Sequence, residues 1–186
     1  MQLDKWAKRA KNEGYRSRAV FKLEEIIKKT NLKKISNVLD LGSAPGGWSQ
    51  FIIKNYPNSK VFAIDMLDME KIDGVDFFQI SIEKIESIKE IDLLKGKFNL
   101  VISDIAPNMT GISAVDSENV SYLNHLTVDI ARKFLEKGGV LIMKTFQNIN
   151  LKSLRKNMEL SFNIVQTYKP AASKKQSGEI YLCGVK

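Results

Sequence analysis

The chain contains one cysteine and one histidine in 186 residues. A single cysteine cannot form a disulfide within the chain, which fits a reducing compartment. A zinc site built from Cys and His ligands is excluded for the same reason. Cys183 lies in the apolar run EIYLCGV, which predicts a buried strand position, and the helical pattern around His125 predicts a structural role. Catalysis would therefore depend on Lys, Asp, Glu, Ser or Tyr side chains.

Long apolar runs are also missing. No segment approaches the ~20 apolar residues that a membrane-spanning helix needs, so no membrane partner is expected. The opening residues MQLDKWAKRAKNEG lack the apolar centre of a secretory signal, and Asp4 and Glu13 make them a poor match to an organellar transit peptide. We expect an intracellular, cytoplasmic protein, with a mitochondrial or nucleolar location left open if the source is eukaryotic.

The sequence also lacks repeats, low-complexity tracts and linkers. Its length and its 44% apolar content suit one globular domain. We therefore expect residues 1–186 to form a single domain that acts as a monomer.

The net charge of +8 is unevenly distributed along the chain. Residues 1–34 carry eleven Lys and Arg against four Asp and Glu, and residues 144–186 carry eight against two. Residues 35–143, the middle of the chain, are acidic overall, with ten Lys and Arg against fifteen Asp and Glu. Two basic ends suit contacts with nucleic-acid phosphates if they meet in the fold.

Strand-like and helix-like runs alternate along the chain, which predicts a doubly wound α/β sheet. A long amphipathic helix is expected at 121–139, closed by Gly138 and Gly139. Only PAASKKQSG separates the last two strands, so they are expected to form an antiparallel hairpin. The predicted strands are 37–42, 60–65, 75–80, 98–104, 139–146, 163–170 and 179–186, and the other predicted helices are 48–56 and 150–158.

Charged side chains follow the predicted strands at one edge of the sheet. Asp40, Asp65, Asp104 and Lys144 lie at or near the carboxyl ends of parallel strands. Glu179 begins the antiparallel last strand and so belongs to the same edge. Ligands of open α/β sheets bind beyond this edge, and we expect the chemistry there.

The segment LDLGSAPGGWSQ (39–50) combines a strand, a glycine-rich turn and the start of a helix. It has neither the GxGxxG spacing of a dinucleotide fold nor the GK[ST] of a phosphate-binding loop. The pattern favours a nucleoside cofactor with a methionine tail, whose ribose hydroxyls Asp65 would bind. The alternative is a tight turn with two helix-capping carboxylates.

Four motifs in this order carry a resemblance to a known family: YRSRAVFKLEEI, DLGSAPGGWSQ, SDIAPNMTG and VLIMKTFQ. From about Gly14 to the C-terminus the chain resembles the FtsJ/RrmJ family of ribosomal RNA 2′-O-ribose methyltransferases. The resemblance implies a Rossmann-like class I fold with a mostly parallel seven-stranded sheet, and S-adenosylmethionine as methyl donor. It also implies a Lys-Asp-Lys-Glu tetrad, which falls on Lys22, Asp104, Lys144 and Glu179.

The resemblance further predicts the cofactor site and the substrate. The substrate would be ribosomal RNA or the large ribosomal subunit, methylated at a uridine near the peptidyl-transferase region. At position 81 the family commonly has an Asp that contacts adenine, whereas this chain has Ser81, so that contact would come from its hydroxyl or from the backbone of Ile80 and Ile82. The predicted cofactor-binding residues are Asp40, Gly42, Ser43, Pro45, Gly46, Gly47, Trp48, Asp65, Met66, Ser81 and Asp104.

The tetrad also makes chemical sense by itself. A ribose hydroxyl is a very weak acid, and an amine is a better-matched base for its proton than a carboxylate. We expect Lys144, held by Asp104 and Glu179, to take this proton, and Lys22 to orient the hydroxyl and bind the neighbouring phosphate. No metal is expected. The alternative is a structural ion-pair network.

The basic N-terminal segment 1–34 is predicted to be helical and to contact RNA. Trp6 and Tyr15 would either stack on bases or pack against the domain. The predicted RNA-binding residues are Lys8, Arg9, Lys11, Arg16, Arg18, Lys174 and Lys175.

Other functions remain open at this point. A 2′-O-methyltransferase of messenger RNA caps or transfer RNA would use the same tetrad, and a non-catalytic ribosome-assembly factor would use the same fold. An adenine amino-group methylase would show Asp-Pro-Pro-aromatic where this chain has DIAPN at 104–108. A cytosine carbon-5 methylase needs a cysteine nucleophile, and Cys183 is wrongly placed for that role.

Overall fold

The structure is a computed structural model that describes residues 5–30, 32, 34–108, 110–174 and 176–186. These residues form a seven-stranded sheet in the order β3-β2-β1-β4-β5-β7-β6. The strands are β1 (Asn37–Leu41), β2 (Lys60–Asp65), β3 (Val75–Gln79), β4 (Phe98–Ser103), β5 (Leu135–Phe146), β6 (Ile164–Tyr168) and β7 (Glu179–Val185).

Strands β1 to β5 pair in parallel, and β7 pairs antiparallel with both β5 and β6. The antiparallel pairing of β6 with β7 confirms the predicted hairpin. Its physical reason is that the short connection leaves no room for a crossover helix. The predicted mostly parallel sheet with an antiparallel last strand is confirmed with it.

Helices cover both faces of the sheet in the described part of the chain. Successive strand residues alternate between two buried apolar clusters, which therefore lie on opposite faces. In the second helix Val20, Leu23, Ile26 and Ile27 recur at helical spacing and are all buried. The helices are α1 (Lys5–Asn12), α2 (Val20–Thr30), α3 (Gly47–Asn55), α4 (Lys89–Asp92), α5 (Ser113–Phe134) and α6 (Leu151–Glu159), with a 3-10 helix at Ile82–Ser87.

The long helix was predicted with the wrong bounds. It runs from Ser113 to Phe134, and β5 begins at Leu135. Gly138 and Gly139 do not cap this helix, because they exchange backbone hydrogen bonds with Lys186 at the end of the chain. The glycine pair, with Gly138 at φ +80°, therefore lies inside β5. The short helices at 82–92 were not predicted either.

The strand order reverses at β1, whose neighbours are β2 and β4. This switch point opens a crevice beyond the carboxyl ends of the strands. Of the described helices, none is both long and apolar enough to span a bilayer. Cys183 is buried in β7 as predicted, and burial raises its thiol pKa to about 12.

Candidate active site

The turn between β1 and α3 is held against the loop that follows β4. Gly42 has φ +73°, and a Cβ there would lie only 2.2 Å from Cγ1 of Ile105. Gly46 has φ +99°, and a Cβ there would lie 2.7 Å from Cδ1 of Ile72. Both positions need glycine, because neighbouring loops approach the backbone closely at a left-handed conformation.

Asp40 lies at the base of this turn and is almost fully buried. The Ser49 hydroxyl donates to its Oδ2 over 2.6 Å. Its Oδ1 and the Ser43 hydroxyl are both buried without a hydrogen-bond partner in the described structure. Burial raises the pKa of Asp40 to about 7; the Ser49 hydrogen bond opposes this shift and the charges of Asp104 and Asp65 add to it. The unpartnered oxygen is available to a cationic or donor group of a ligand.

Asp65 ends β2 and ties it to the glycine-rich turn. The backbone N–H groups of Ala44 and Leu67 donate to its two carboxylate oxygens over 2.9 and 2.8 Å. Asp65 lines a cavity of about 430 Å³, together with Gly42, Met66, Ser81 and Asp104. This volume lies in the range of small-molecule and cofactor pockets.

The far wall of this cavity is mostly apolar. Ile80, Ile82, Ile105, Pro107 and Leu123 contribute it. The Ser81 hydroxyl accepts from the Glu83 N–H, which caps the 3-10 helix. An adenine ring would therefore meet apolar side chains, which no sequence motif indicates.

The pockets fit S-adenosylmethionine. The 430 Å³ cavity with Asp65 suits an adenosine, and a cavity of only about 30 Å³, lined by Asp40, Ser43 and Trp48, suits the ammonium group of the methionine end. Asp104 lines both cavities and so marks the point where they meet.

The four predicted tetrad residues lie close together and form two ion pairs. Lys22 Nζ lies 2.7 Å from Oε1 of Glu179, and Lys144 Nζ lies 3.1 Å from Oδ1 of Asp104. Lys144 also donates to the Asp104 main-chain carbonyl over 2.5 Å. The pairing differs from the expected one, because Glu179 holds Lys22 and not Lys144.

Each carboxylate has a further partner that the sequence did not reveal. The Tyr181 hydroxyl donates to Oδ1 of Asp104 over 3.0 Å, and the Ser173 hydroxyl donates to Oε1 of Glu179 over 2.7 Å. Burial raises the pKa of Glu179, but hydrogen bonds from Lys22 and Ser173 and the nearby lysine charges outweigh it, so its pKa lies below the ordinary value. Glu179 is therefore ionised at neutral pH.

Tyr181 could have been noticed from the strand pattern. It lies two residues after Glu179 and pairs in register with Lys144, so all three share one face of the sheet. Burial raises the pKa of its phenol, as does the charge of Asp104, and Tyr181 therefore acts as a hydrogen-bond donor.

A third cavity, of about 410 Å³, lies next to the start of β7. Gly178, which precedes Glu179, lines it together with Gln147 and Asn148 after β5 and Ser113 and Ser117 of α5. Its polar side chains are suitable for hydrogen bonds to a nucleotide.

The predicted RNA-binding residues differ in their exposure and in their contacts within the protein. Lys8 and Lys11 on α1 and Lys174 near β7 are exposed. Arg9 pairs with Glu13 over 2.6 Å and lies over the Phe21 ring. Lys175 lies outside the described residues, and Arg18 is half-buried.

Arg16 differs from this pattern because its guanidinium donates to the carbonyls of Pro45, Glu70 and Lys71. Trp6 and Tyr15 both pack against Phe21, with ring centroids 5.4 and 6.2 Å apart. This contact favours the packing interpretation of the two aromatic residues.

Comparison with known proteins agrees with the fold. The family model described as FtsJ-like methyltransferase matches residues 15–186. A "Ribosomal RNA large subunit methyltransferase E" from Chromobacterium violaceum is 43% identical over 97% of this chain and 90% of its own length. The protein of the same name from Coxiella burnetii is 43% identical over 96% of this chain and 88% of its own.

Two solved structures are similar as well. A protein from Plasmodium falciparum described as a ribosomal RNA methyltransferase superposes with a TM-score of 0.78 at 30% identity, over 92% of this chain and 98% of its own. A 1,6-didemethyltoxoflavin-N1-methyltransferase from Burkholderia thailandensis has a TM-score of 0.62 at 12% identity, over 90% of this chain and 78% of its own, which shows the fold alone. The chain thus belongs to the FtsJ-like methyltransferase family and is an S-adenosylmethionine-dependent methyltransferase.

Proposed function

We propose that this chain transfers a methyl group from S-adenosylmethionine to a ribose 2′-hydroxyl of large-subunit ribosomal RNA. The observation that carries the proposal is the pair of buried lysine–carboxylate contacts, Lys22–Glu179 and Lys144–Asp104, beside the cofactor-sized cavity. The names of the curated relatives supply the RNA class.

The cofactor would lie along the glycine-rich turn. Asp65 would accept hydrogen bonds from the ribose hydroxyls, and Asp40 would face the ammonium group of the methionine end with its unpartnered Oδ1. The backbone of Ser43 to Gly47 would hold the carboxylate end. When bound, S-adenosylmethionine supplies an electrophilic sulfonium methyl group.

Lys144 would act on the attacking hydroxyl. Its Nζ contacts both the carboxylate and the main-chain carbonyl of Asp104, which lines both cofactor cavities. In its neutral form it would accept the 2′-hydroxyl proton as the oxygen attacks. Fixed positions for oxygen and methyl supply much of the rate, because the reaction then resembles an intramolecular step.

Lys22 would bind and orient the RNA. Its ammonium is held by Glu179, which Ser173 holds in turn. A fixed cation next to Lys144 suits the phosphate that follows the target ribose. Glu179 is then a positioning residue for Lys22.

We further propose a large-subunit uridine as target and a monomeric enzyme that meets its substrate inside the cell. Residues 1–186 would act as one methyltransferase domain, with the basic segment 1–34 on the RNA. The basic side chains proposed to contact RNA phosphates are Lys8, Lys11, Arg18 and Lys174, with Arg9 held beside them.

The test is methyl transfer from labelled S-adenosylmethionine to large-subunit RNA, both free and in assembled subunits, from cells that lack the protein. A single ribose resistant to alkaline cleavage on its 3′ side is the expected product. Label on a base, or label only on transfer RNA or capped messenger RNA, would contradict the proposal. Binding to subunits without any transfer would indicate an assembly factor.

A further inference from the structure

Arg16 lies where three segments of the chain meet. Its Nη1 donates to the carbonyls of Pro45 and Glu70 over 3.1 and 2.7 Å, and its Nη2 donates to the carbonyl of Lys71 over 2.9 Å. Pro45 belongs to the glycine-rich turn, and Glu70 and Lys71 belong to the loop after β2. One guanidinium thus joins the N-terminal segment to both loops.

The two loops also pack directly on each other. A Cβ on Gly46 would lie 2.7 Å from Ile72 and 2.9 Å from the Met69 sulfur, and 3.1 Å from Nη1 of Arg16. Met69 is buried. The loop after β2 therefore packs directly on the backbone of Gly46. The Arg16 guanidinium packs against the same glycine.

Both loops form walls of the cofactor cavity. Ala44 of the turn, and Met66 and Leu67 of the other loop, line it together with Asp65. Asp65 already links the two, because it accepts from the N–H groups of Ala44 and Leu67. The relative position of the loops thus fixes the width of the cavity and the orientation of Asp65.

The N-terminal segment is itself fixed to the turn. The Arg16 N–H donates to Oε1 of Gln50, and Nε2 of Gln50 donates to the Gly14 carbonyl, over 3.0 and 2.8 Å. Gln50 lies in the first part of α3. Arg16 therefore starts from an anchored backbone, so fixing its guanidinium on the carbonyls costs side-chain freedom but no further backbone freedom.

We propose that Arg16 is a positioning residue for the cofactor site: it holds the turn at 42–47 and the loop at 66–72 in the arrangement that binds S-adenosylmethionine. The inference uses the methyl donor of the proposed function but not its RNA target. It assigns Arg16 to cofactor binding, whereas its place in the YRSR motif predicted an RNA contact.

The planar guanidinium is the reason that arginine is required. It presents several donors in a rigid fork, which reaches three carbonyls on two loops at once. A lysine in its place keeps the positive charge but concentrates it at one nitrogen on a flexible chain. Lys at position 16 would therefore preserve an attraction for RNA phosphates and lose the connection between the loops.

The experiment is calorimetric titration of Arg16→Lys and Arg16→Ala with S-adenosylhomocysteine, with no RNA present. Both variants should bind roughly tenfold more weakly, which corresponds to the loss of about one charge-assisted hydrogen bond. The salt dependence of RNA binding by Arg16→Lys should equal that of the wild type. The matched control is Arg155→Lys: Arg155 also donates to a carbonyl, that of Val165, but far from the cavity at the edge strand β6. Its affinity for S-adenosylhomocysteine should stay unchanged.

Wild-type affinity for S-adenosylhomocysteine in Arg16→Lys would overturn the proposal, as would weaker RNA binding at unchanged cofactor affinity. Failure of methyl transfer to ribosomal RNA would leave this result untouched, since the titration contains no RNA. If Arg16→Ala is too unstable to titrate, amide hydrogen exchange of Arg16→Lys provides the second measurement. Exchange should become faster at 66–72 in that variant, and unchanged exchange there would also overturn the proposal.

Discussion

The Lys22 ammonium lies 2.7 Å from the Glu179 carboxylate, with both side chains largely buried. Lys22 belongs to α2 and Glu179 begins β7, so the contact joins the two basic ends of the chain. Lys144 has its own carboxylate, Asp104, at 3.1 Å. Each lysine therefore depends on a different acid, and the two pairs can be perturbed separately.

Replacing Lys144 with Ala should remove the group that accepts the hydroxyl proton. General-base contributions of this type amount to about 10²- to 10⁴-fold, so kcat should fall by that factor. Affinity for S-adenosylhomocysteine should change little, because Lys144 lies beside the cavities and does not line them. Kinetics and calorimetry measure the two effects. Lys156→Ala on α6 is the control for charge, and retained transfer in Lys144→Ala would exclude the assigned role.

Tyr181→Phe should have a smaller effect. The variant loses the hydroxyl that donates to Asp104, which leaves Asp104 freer to rotate away from Lys144. We expect a loss of about 1 kcal/mol in the free energy of unfolding, from one hydrogen bond. We also expect a shifted pH profile of kcat, because the partner of Lys144 changes. An unchanged pH profile would limit Tyr181 to a structural role.

Cofactor affinity should depend on pH through Asp40, whose pKa is about 7 in the free protein. The cationic methionine end favours the carboxylate and lowers this pKa, so binding releases a proton below pH 7. Affinity should therefore rise by up to about tenfold per pH unit as pH approaches 7, and level off above it. Titration of the wild type and of Asp40→Asn between pH 5.5 and 8 measures this. Equal slopes for the two proteins would contradict the prediction.

The same shift affects the protein without cofactor. The folded-state pKa of Asp40 lies above its usual unfolded value, so its contribution to stability is complete at low pH and is lost as pH rises through about 7. Denaturant unfolding at pH 5 and pH 8 should show that the free energy of unfolding declines more for the wild type than for Asp40→Asn. A wild-type decline no larger than that of Asp40→Asn would be the opposite outcome.

Gly42→Ala should damage both the fold and the cofactor site. The new methyl group would meet Ile105, the neighbour of Asp104, and position 42 has φ +73°. Gly96 has φ +70° with open space around it, so Gly96→Ala isolates the backbone strain, which costs about 1–2 kcal/mol. Overpacking should cost Gly42→Ala about 1–3 kcal/mol more, together with cofactor affinity. Equal unfolding free energies for the two variants would show that the loop after β4 moves aside without a cost in free energy, which would contradict the prediction.

Exposed lysines of α1 should govern the salt dependence of RNA binding. Each phosphate contact contributes about 0.9 to the slope of log K against log salt for duplex-like sites, so Lys8→Ala with Lys11→Ala should reduce the slope by about 2. Lys152→Ala with Lys156→Ala removes the same charge from α6 and should leave the slope near the wild-type value. Similar changes in both double variants would assign the effect to net charge.

Much of the architecture was readable from local sequence. All seven strand positions follow from short runs of strand-like residues, although β5 begins earlier, at Leu135, than predicted. The β6–β7 hairpin follows from a short connection. The end of α5 did not follow, because Gly138 and Gly139 resemble a helix cap locally, whereas their hydrogen-bond partner is Lys186 at the other end of the chain. The candidate site showed the same division: the tetrad was found by motif, while Tyr181 and Ser173 carry no motif of their own.

The sequence by itself determined the alternation of strands and helices, the need for glycine at the turn after β1, and the family to which the chain belongs. These features depend on periodicity and spacing along the chain, which are local properties. Only the tertiary structure decided that Glu179 holds Lys22, that Asp104 holds Lys144, and that Arg16 joins two loops of the cofactor cavity. Such choices depend on distances of a few ångströms between side chains from distant segments, and the packing of α2, β5 and β7 sets those distances.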